Sequence, residues 1–219
     1  MTKRVKLDID DCVQRLRTEG YLVVPGPYDY DELWQAVNNA RTEFVEYNSE
    51  AIRHVNAQQV LGAFGALGNP SSFHHPKIRE IRTRCKCVVG PILSKYSSGD
   101  MNVEALFDRL CVRSSEFGIP GHESWHRDVY DYKKYKTTKN EADLVPLHQG
   151  DVMFGGWINC REKDRDQYFS CVPGTDYHEG GGFGPITDKD EIARCEADKI
   201  RVVVPPGHIL LFRQGLIHE

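Results

Sequence analysis

"GHESWHRDVYD", Gly121 to Asp131, carries two metal-binding patterns laid over each other. His122-Glu123-Ser124-Trp125-His126 has the H-E-x-x-H form, which sets two imidazoles on one zinc ion when it lies on a helix. His126-Arg127-Asp128 is H-x-D, two donors of a 2-His-1-carboxylate set. The first pattern needs a helix, because only a helical turn brings residues i and i+4 side by side. The second needs a strand, where i and i+2 project from one face. The local conformation of this stretch decides both fold and chemistry.

Its surroundings favour the strand. Gly118, Pro120 and Gly121 stand immediately upstream, and the neighbouring runs are β-prone. The zinc pattern also lacks its downstream partner. Val129 occupies the place where the longer metzincin form wants glycine. Glu141, the nearest acid for a gluzincin, lies too close to leave room for a loop and a second helix.

An H-x-D pair leaves an ion loosely held, so a third donor from a distant strand is required. His148, His178, His208 and His218 are the candidates. His148 stands in the turn-like "PLHQGD", His178 in a glycine-rich loop, and His208 at a solvent-facing strand start. His218 ends "ILLFRQGLIH", read as one apolar strand able to carry it inward. Other possible ligands have plainer readings: His74-His75 precede Pro76 as helix-start residues.

The rest of the chain sets the frame. Its 219 residues, 40% hydrophobic, suffice for one globular domain with a buried core. A net charge of -4 offers no general attraction to nucleic acid or an anionic membrane. No apolar run approaches the roughly 20 residues of a membrane span. The opening "MTKRVKLDIDD" lacks the apolar centre of a signal peptide. Seven cysteines without a C-x-x-C pair read as thiols in a reducing, cytoplasmic setting.

Helical signals come first. Asp8 can cap "IDDCVQRLRTE", with Cys12, Val13 and Leu16 on one face and Gly20 as the stop. "YLVV" follows as a strand. A second helix begins near Asp31, and Pro76 opens a third through Ile78, Ile81, Cys85 and Val88. After about residue 103 short β-prone runs alternate with turns, Pro206-Gly207 suiting the centre of a type II turn. "YDYKKYKTTKNEAD" reads as a solvated loop or lid over residues 130–143, its tyrosines not a base-stacking surface. The expectation is an α+β chain forming one domain over 1–219, helical to about residue 100 and all-β from 101 to 219.

"SWHRD", then "GGWINCREKDRDQYFSCVPGTDYH", then "VPPGHILLFRQGLIHE" together resemble the phytanoyl-CoA dioxygenase family of iron- and 2-oxoglutarate-dependent oxygenases. The middle block is similar to that family's tryptophan-bearing strand and the turn after it, here Pro173-Gly174-Thr175-Asp176. "LRTEGYLVVPG" is similar to its opening helix and strand. The resemblance implies a double-stranded β-helix, jelly-roll or cupin-like, with N-terminal helices packed on it. It implies Fe(II) held by His126, Asp128 and His218, with 2-oxoglutarate as cosubstrate beside Trp157. The partners would be O2 and a small-molecule substrate. Under it, His122 and Glu123 become ordinary loop residues.

The family anchors the far carboxylate of 2-oxoglutarate with an arginine on the strand after the distal histidine. The sequence reaches only Glu219, just past His218. The expectation is therefore a further strand bearing a cation, with Arg113 as the alternative anchor. Two other function classes stay open at this level: a catalytically impaired binding protein of the same fold, and the zinc peptidase.

Overall fold

The computed structural model describes residues 6–47, 66–67, 76–97, 110–111, 125–128, 154–161, 163–175 and 184–219. In chain order the first elements are α1 (Ile9–Glu19), β1 (Tyr21–Pro25), α2 (Tyr30–Tyr47), β2 (Ala66–Leu67), α3 (Pro76–Tyr96) and β3 (Leu110–Cys111). Then come β4 (His126–Arg127), β5 (Phe154–Ile158), β6 (Gln167–Val172) and β7 (Gly184–Pro185). The chain finishes with α4 (Lys189–Asp198), β8 (Ile200–Val204), β9 (His208–Arg213) and β10 (Ile217–His218). Contacts divide it into two compact units.

One unit comprises Met1–Arg4, Gly26–His122 and Cys160–Lys163. In it α2 packs against α3, with Leu33 and Val37 of α2 and Ile78, Ile81 and Ile92 of α3 buried. Both helices were expected, although α3 runs further than the apolar spacing indicated. β2 and β3 form a short antiparallel pair. Arg84 meets Glu32 at 2.6 Å and Glu80 at 3.0 Å and lies over the Tyr28 ring. These ion pairs are exposed, so each adds little stability.

The other unit comprises Val5–Pro25, Glu123–Asn159 and Asp164–Glu219. It opens with α1, whose ends are fixed as the sequence indicates. The Asp8 carboxylate accepts from the amides of Asp10 and Asp11 at 3.0 and 3.2 Å, and Gly20 closes the helix at φ 82°. Asp8→Ala leaves those amides without a side-chain acceptor. We expect it to lower unfolding free energy by about 1 kcal/mol in urea titration, with little change in slope.

Two antiparallel sheets build this unit. The first has the order β1-β9-β5 and the second β7-β4-β10-β6-β8. Between β8 and β9 the amide of His208 donates to Pro205 O at 3.0 Å, with Gly207 at φ 77°. This is the turn expected of Pro206-Gly207. Phe169, Cys171, Val202, Val204, Leu210, Phe212 and Leu216 form the main core cluster, joined by the half-buried Trp157. A second cluster unites Trp125, Val172, Cys195 and Ile217.

Two expectations are corrected. The region beyond residue 101 is not all-β: α4 lies within it, its Asp188 carboxylate accepting from the Glu191 amide at 2.8 Å. Asp188 and Glu191 have the spacing of a capping box, and Ile192 and Cys195 share the inward face. The run "HILLFRQGLIH" is not one strand. A turn with Leu216 N donating to Arg213 O at 2.9 Å breaks it, leaving β9 in the first sheet and β10 in the second. Among the described residues no helix is long and apolar enough to cross a membrane, and Cys12, Cys85, Cys87, Cys160, Cys171 and Cys195 are free thiols.

Candidate metal centre

The pairing of β4 with β10 places His126 opposite His218. Directly opposed residues of an antiparallel pair share a face with Cβ atoms about 5 Å apart. Their rings accordingly meet with centroids 4.2 Å apart. Asp128, two residues on from His126, returns to the same face. Its amide donates to Gln214 O at 2.9 Å, tying the segment after β4 to the turn before β10.

The carboxylate of Asp128 faces both imidazoles. Oδ1 lies 3.6 Å from His126 Nε2, and Oδ2 lies 3.6 Å from His218 Nε2. One donor atom from each of the three residues falls within 4.8 Å of the others. A separation of 3.6 Å is too long for a hydrogen bond. Donors each about 2.1 Å from a common ion stand about 3 Å apart when adjacent, so a small closure would seat one.

His218 is set up as a donor. Its Nδ1 lies 2.9 Å from Leu216 O. A carbonyl can only accept, so Nδ1 carries a proton and Nε2 is the nitrogen turned toward Asp128. The ring is buried, flanked by Phe212 at 4.8 Å and Phe169 at 5.3 Å between centroids. A nitrogen–nitrogen–oxygen donor set, one tautomer fixed by a backbone carbonyl and an apolar surround, fits a divalent metal ion.

His126 stands in a strand. The helical register that H-E-x-x-H requires therefore does not run through it. His122, Glu123 and Ser124 lie outside the described residues.

No protein-family model and no curated protein sequence matches this chain. Among solved structures, AviO1 from Streptomyces viridochromogenes Tue57 is 14% identical, with 98% of this chain aligned to 87% of that one at a TM-score of 0.49. EvdMO1 is 14% identical over 96% of this chain and 45% of its own, with a TM-score of 0.48. SnoK, a non-heme alpha-ketoglutarate-dependent carbocyclase from nogalamycin biosynthesis, is 15% identical over 99% and 78%, with a TM-score of 0.41. Likenesses this slight carry neither a fold nor an activity across to this chain.

Of the other residues singled out by sequence, Trp157 lies in the core beside the cluster. Its ring is edge-on to Phe169 at 5.5 Å and Phe212 at 6.3 Å, the two rings that flank His218. Its indole Nε1 is buried and has no hydrogen-bond partner among the described residues. His208 is half-buried at the start of β9, its Nδ1 3.3 Å from Pro206 O, apart from the donor cluster. Arg113, His74, His75, His148, His178 and the loop 130–143 fall outside the described residues.

Sequence reasoning passed over the support beneath the cluster. Trp125 is buried, and its Nε1 donates to Glu196 Oε1 of α4 at 2.7 Å. Arg127, between two donors, is only 7% exposed. Its Nη1 donates to the carbonyls of Thr175 and Gly215. Alternation along the strand was the available signal: if His126 and Asp128 face the metal, Trp125 and Arg127 must face away from it.

Proposed function

We propose that this chain is an Fe(II)- and 2-oxoglutarate-dependent dioxygenase that hydroxylates a small molecule. One observation supports the reading: two imidazoles and a carboxylate converge from neighbouring strands, with one donor atom from each within 4.8 Å of the others. Three protein donors in this arrangement leave adjacent coordination positions for a chelating cosubstrate and O2. Ferrous iron with 2-oxoglutarate would supply the oxidising chemistry, which no side chain can.

The chain's own residues have simpler tasks. His126 and His218 supply neutral donors, and Asp128 supplies the negative charge that offsets part of the ion's. Phe169 and Phe212 keep water from the His218 side. Trp157 walls the cosubstrate pocket, its indole N–H, unpaired among the described residues, suited to a polar ligand. Arg113 is the proposed cation for the far carboxylate of 2-oxoglutarate. In fold terms, the two antiparallel sheets are read as a double-stranded β-helix in a single domain.

Titration with Fe(II) and 2-oxoglutarate under nitrogen tests this. The proposal expects a weak visible charge-transfer band that requires both components. A metal-free binding protein gives no band, and neither does a site that takes iron but not the 2-oxo acid. Arg113→Ala is expected to leave iron binding intact and weaken 2-oxoglutarate binding in calorimetry. Unchanged affinity would remove Arg113 from the pocket.

A further inference from the structure

Arg127 occupies the middle of the H-x-D motif yet turns away from the donor cluster. A buried guanidinium is costly unless its donors are satisfied. Two of its acceptors are main-chain carbonyls of separate segments. Thr175 O belongs to the turn after β6, and Gly215 O to the turn between β9 and β10. The second of these turns leads directly into His218.

The same two turns are tied to each other. Thr175 Oγ1 donates to Val172 O at 2.6 Å and accepts from the Ile217 amide at 3.0 Å. Arg127 therefore closes a ring of contacts joining the segment that carries His126 and Asp128 to the one that carries His218. The ladder alone is meagre. β4 and β10 are two residues each, and a single residue pair relates them. Beside that pair stands the Asp128 amide on Gln214 O at 2.9 Å, and Arg127 adds a side-chain tie across the same junction.

We propose that Arg127 is a positioning residue for the metal centre, holding the His218 strand in register with His126 and Asp128 by bridging Thr175 O and Gly215 O. This rests on the metal reading above. Both bonds leave one nitrogen, Nη1, whose two N–H directions are fixed in the guanidinium plane; a lysine ammonium, turning freely on a flexible stem, does not hold those two directions. Groups that orient metal donors from behind typically govern metal affinity about 10- to 100-fold.

Co(II), added as the chloride under nitrogen, is the probe, because its visible bands report both affinity and coordination geometry. Wild type, Arg127→Lys, Arg127→Gln and Arg127→Met are titrated at a temperature where each is folded by circular dichroism. Arg127→Lys should weaken Co(II) binding at least about tenfold and alter the band intensities. Arg127→Gln, whose amide can still reach a carbonyl, should recover part of the loss that Arg127→Met shows. If Arg127→Met fails to fold, the lysine and glutamine variants decide. A wild-type dissociation constant and spectrum in folded Arg127→Lys would overturn the proposal while leaving the metal centre intact. Failure of the wild type to bind Co(II) would instead remove the metal reading, and this inference with it.

Discussion

His218→Ala is expected to abolish Fe(II) uptake while leaving the protein folded. The effect should be large because a donor is removed outright. Changing groups that merely orient donors already costs about 10- to 100-fold in metal affinity, so loss of a donor is expected to exceed about 100-fold. His218 is also oriented from behind, with Nδ1 held on Leu216 O. His126→Ala and Asp128→Ala should act alike, since all three meet at one point. His122→Ala and Glu123→Ala should bind iron as the wild type does. Dialysis against Fe(II) under nitrogen, followed by iron analysis, makes the comparison. Retention of metal by His218→Ala, with loss on changing Glu123, would return the chain to the zinc-peptidase reading.

A second large effect is expected far from any donor, at Gly156→Ala. Gly156 sits in β5 opposite Leu211 of β9 at φ 154°. A Cβ added there would stand 2.2 Å from Leu210 O, a backbone atom that cannot step aside without breaking the ladder. Positive-φ strain of about 1–3 kcal/mol adds to this clash, so the loss should be about 3 kcal/mol or more. That is a large share of the about 5–15 kcal/mol holding a typical domain folded. Urea denaturation would show it as a lowered midpoint, or expression as insoluble protein. A change within about 0.5 kcal/mol would mean the β5–β9 pairing is not as described. Gly155→Ala makes a useful contrast. Its Cβ would meet the far end of the Phe212 ring at 2.6 Å, and that ring can move. Phe212 also packs on His218, so this variant should disturb metal binding more than folding.

What the sequence disclosed follows from the range of the interactions involved. Asp8, Gly20 and Pro206-Gly207 act within a few residues of themselves, and their signals were read directly. The H-x-D pair is equally local, because alternation along any strand brings i and i+2 to one face. The partnership of His126 with His218 spans most of the β region, and no local pattern announces it; only the resemblance pointed there. Apolar residues on both sides of Gln214-Gly215 hid the break between β9 and β10, since a continuous hydrophobic run looks the same with or without a turn. The α4 helix was legible in Asp188-x-x-Glu191 but was masked by the β-prone runs around it. Arg127 was missed because the residue between two motif letters draws no notice, although it is the one that must point to the other side.

The proposed metal centre requires one ion shared by three side chains. Crystals grown under nitrogen with Fe(II), and diffraction recorded at the iron absorption edge, would locate that ion directly. A single anomalous peak at bonding distance from His126 Nε2, His218 Nε2 and an Asp128 carboxylate oxygen is the predicted result. Iron bound elsewhere, or a peak shared by His122 and His126 without His218, would contradict it.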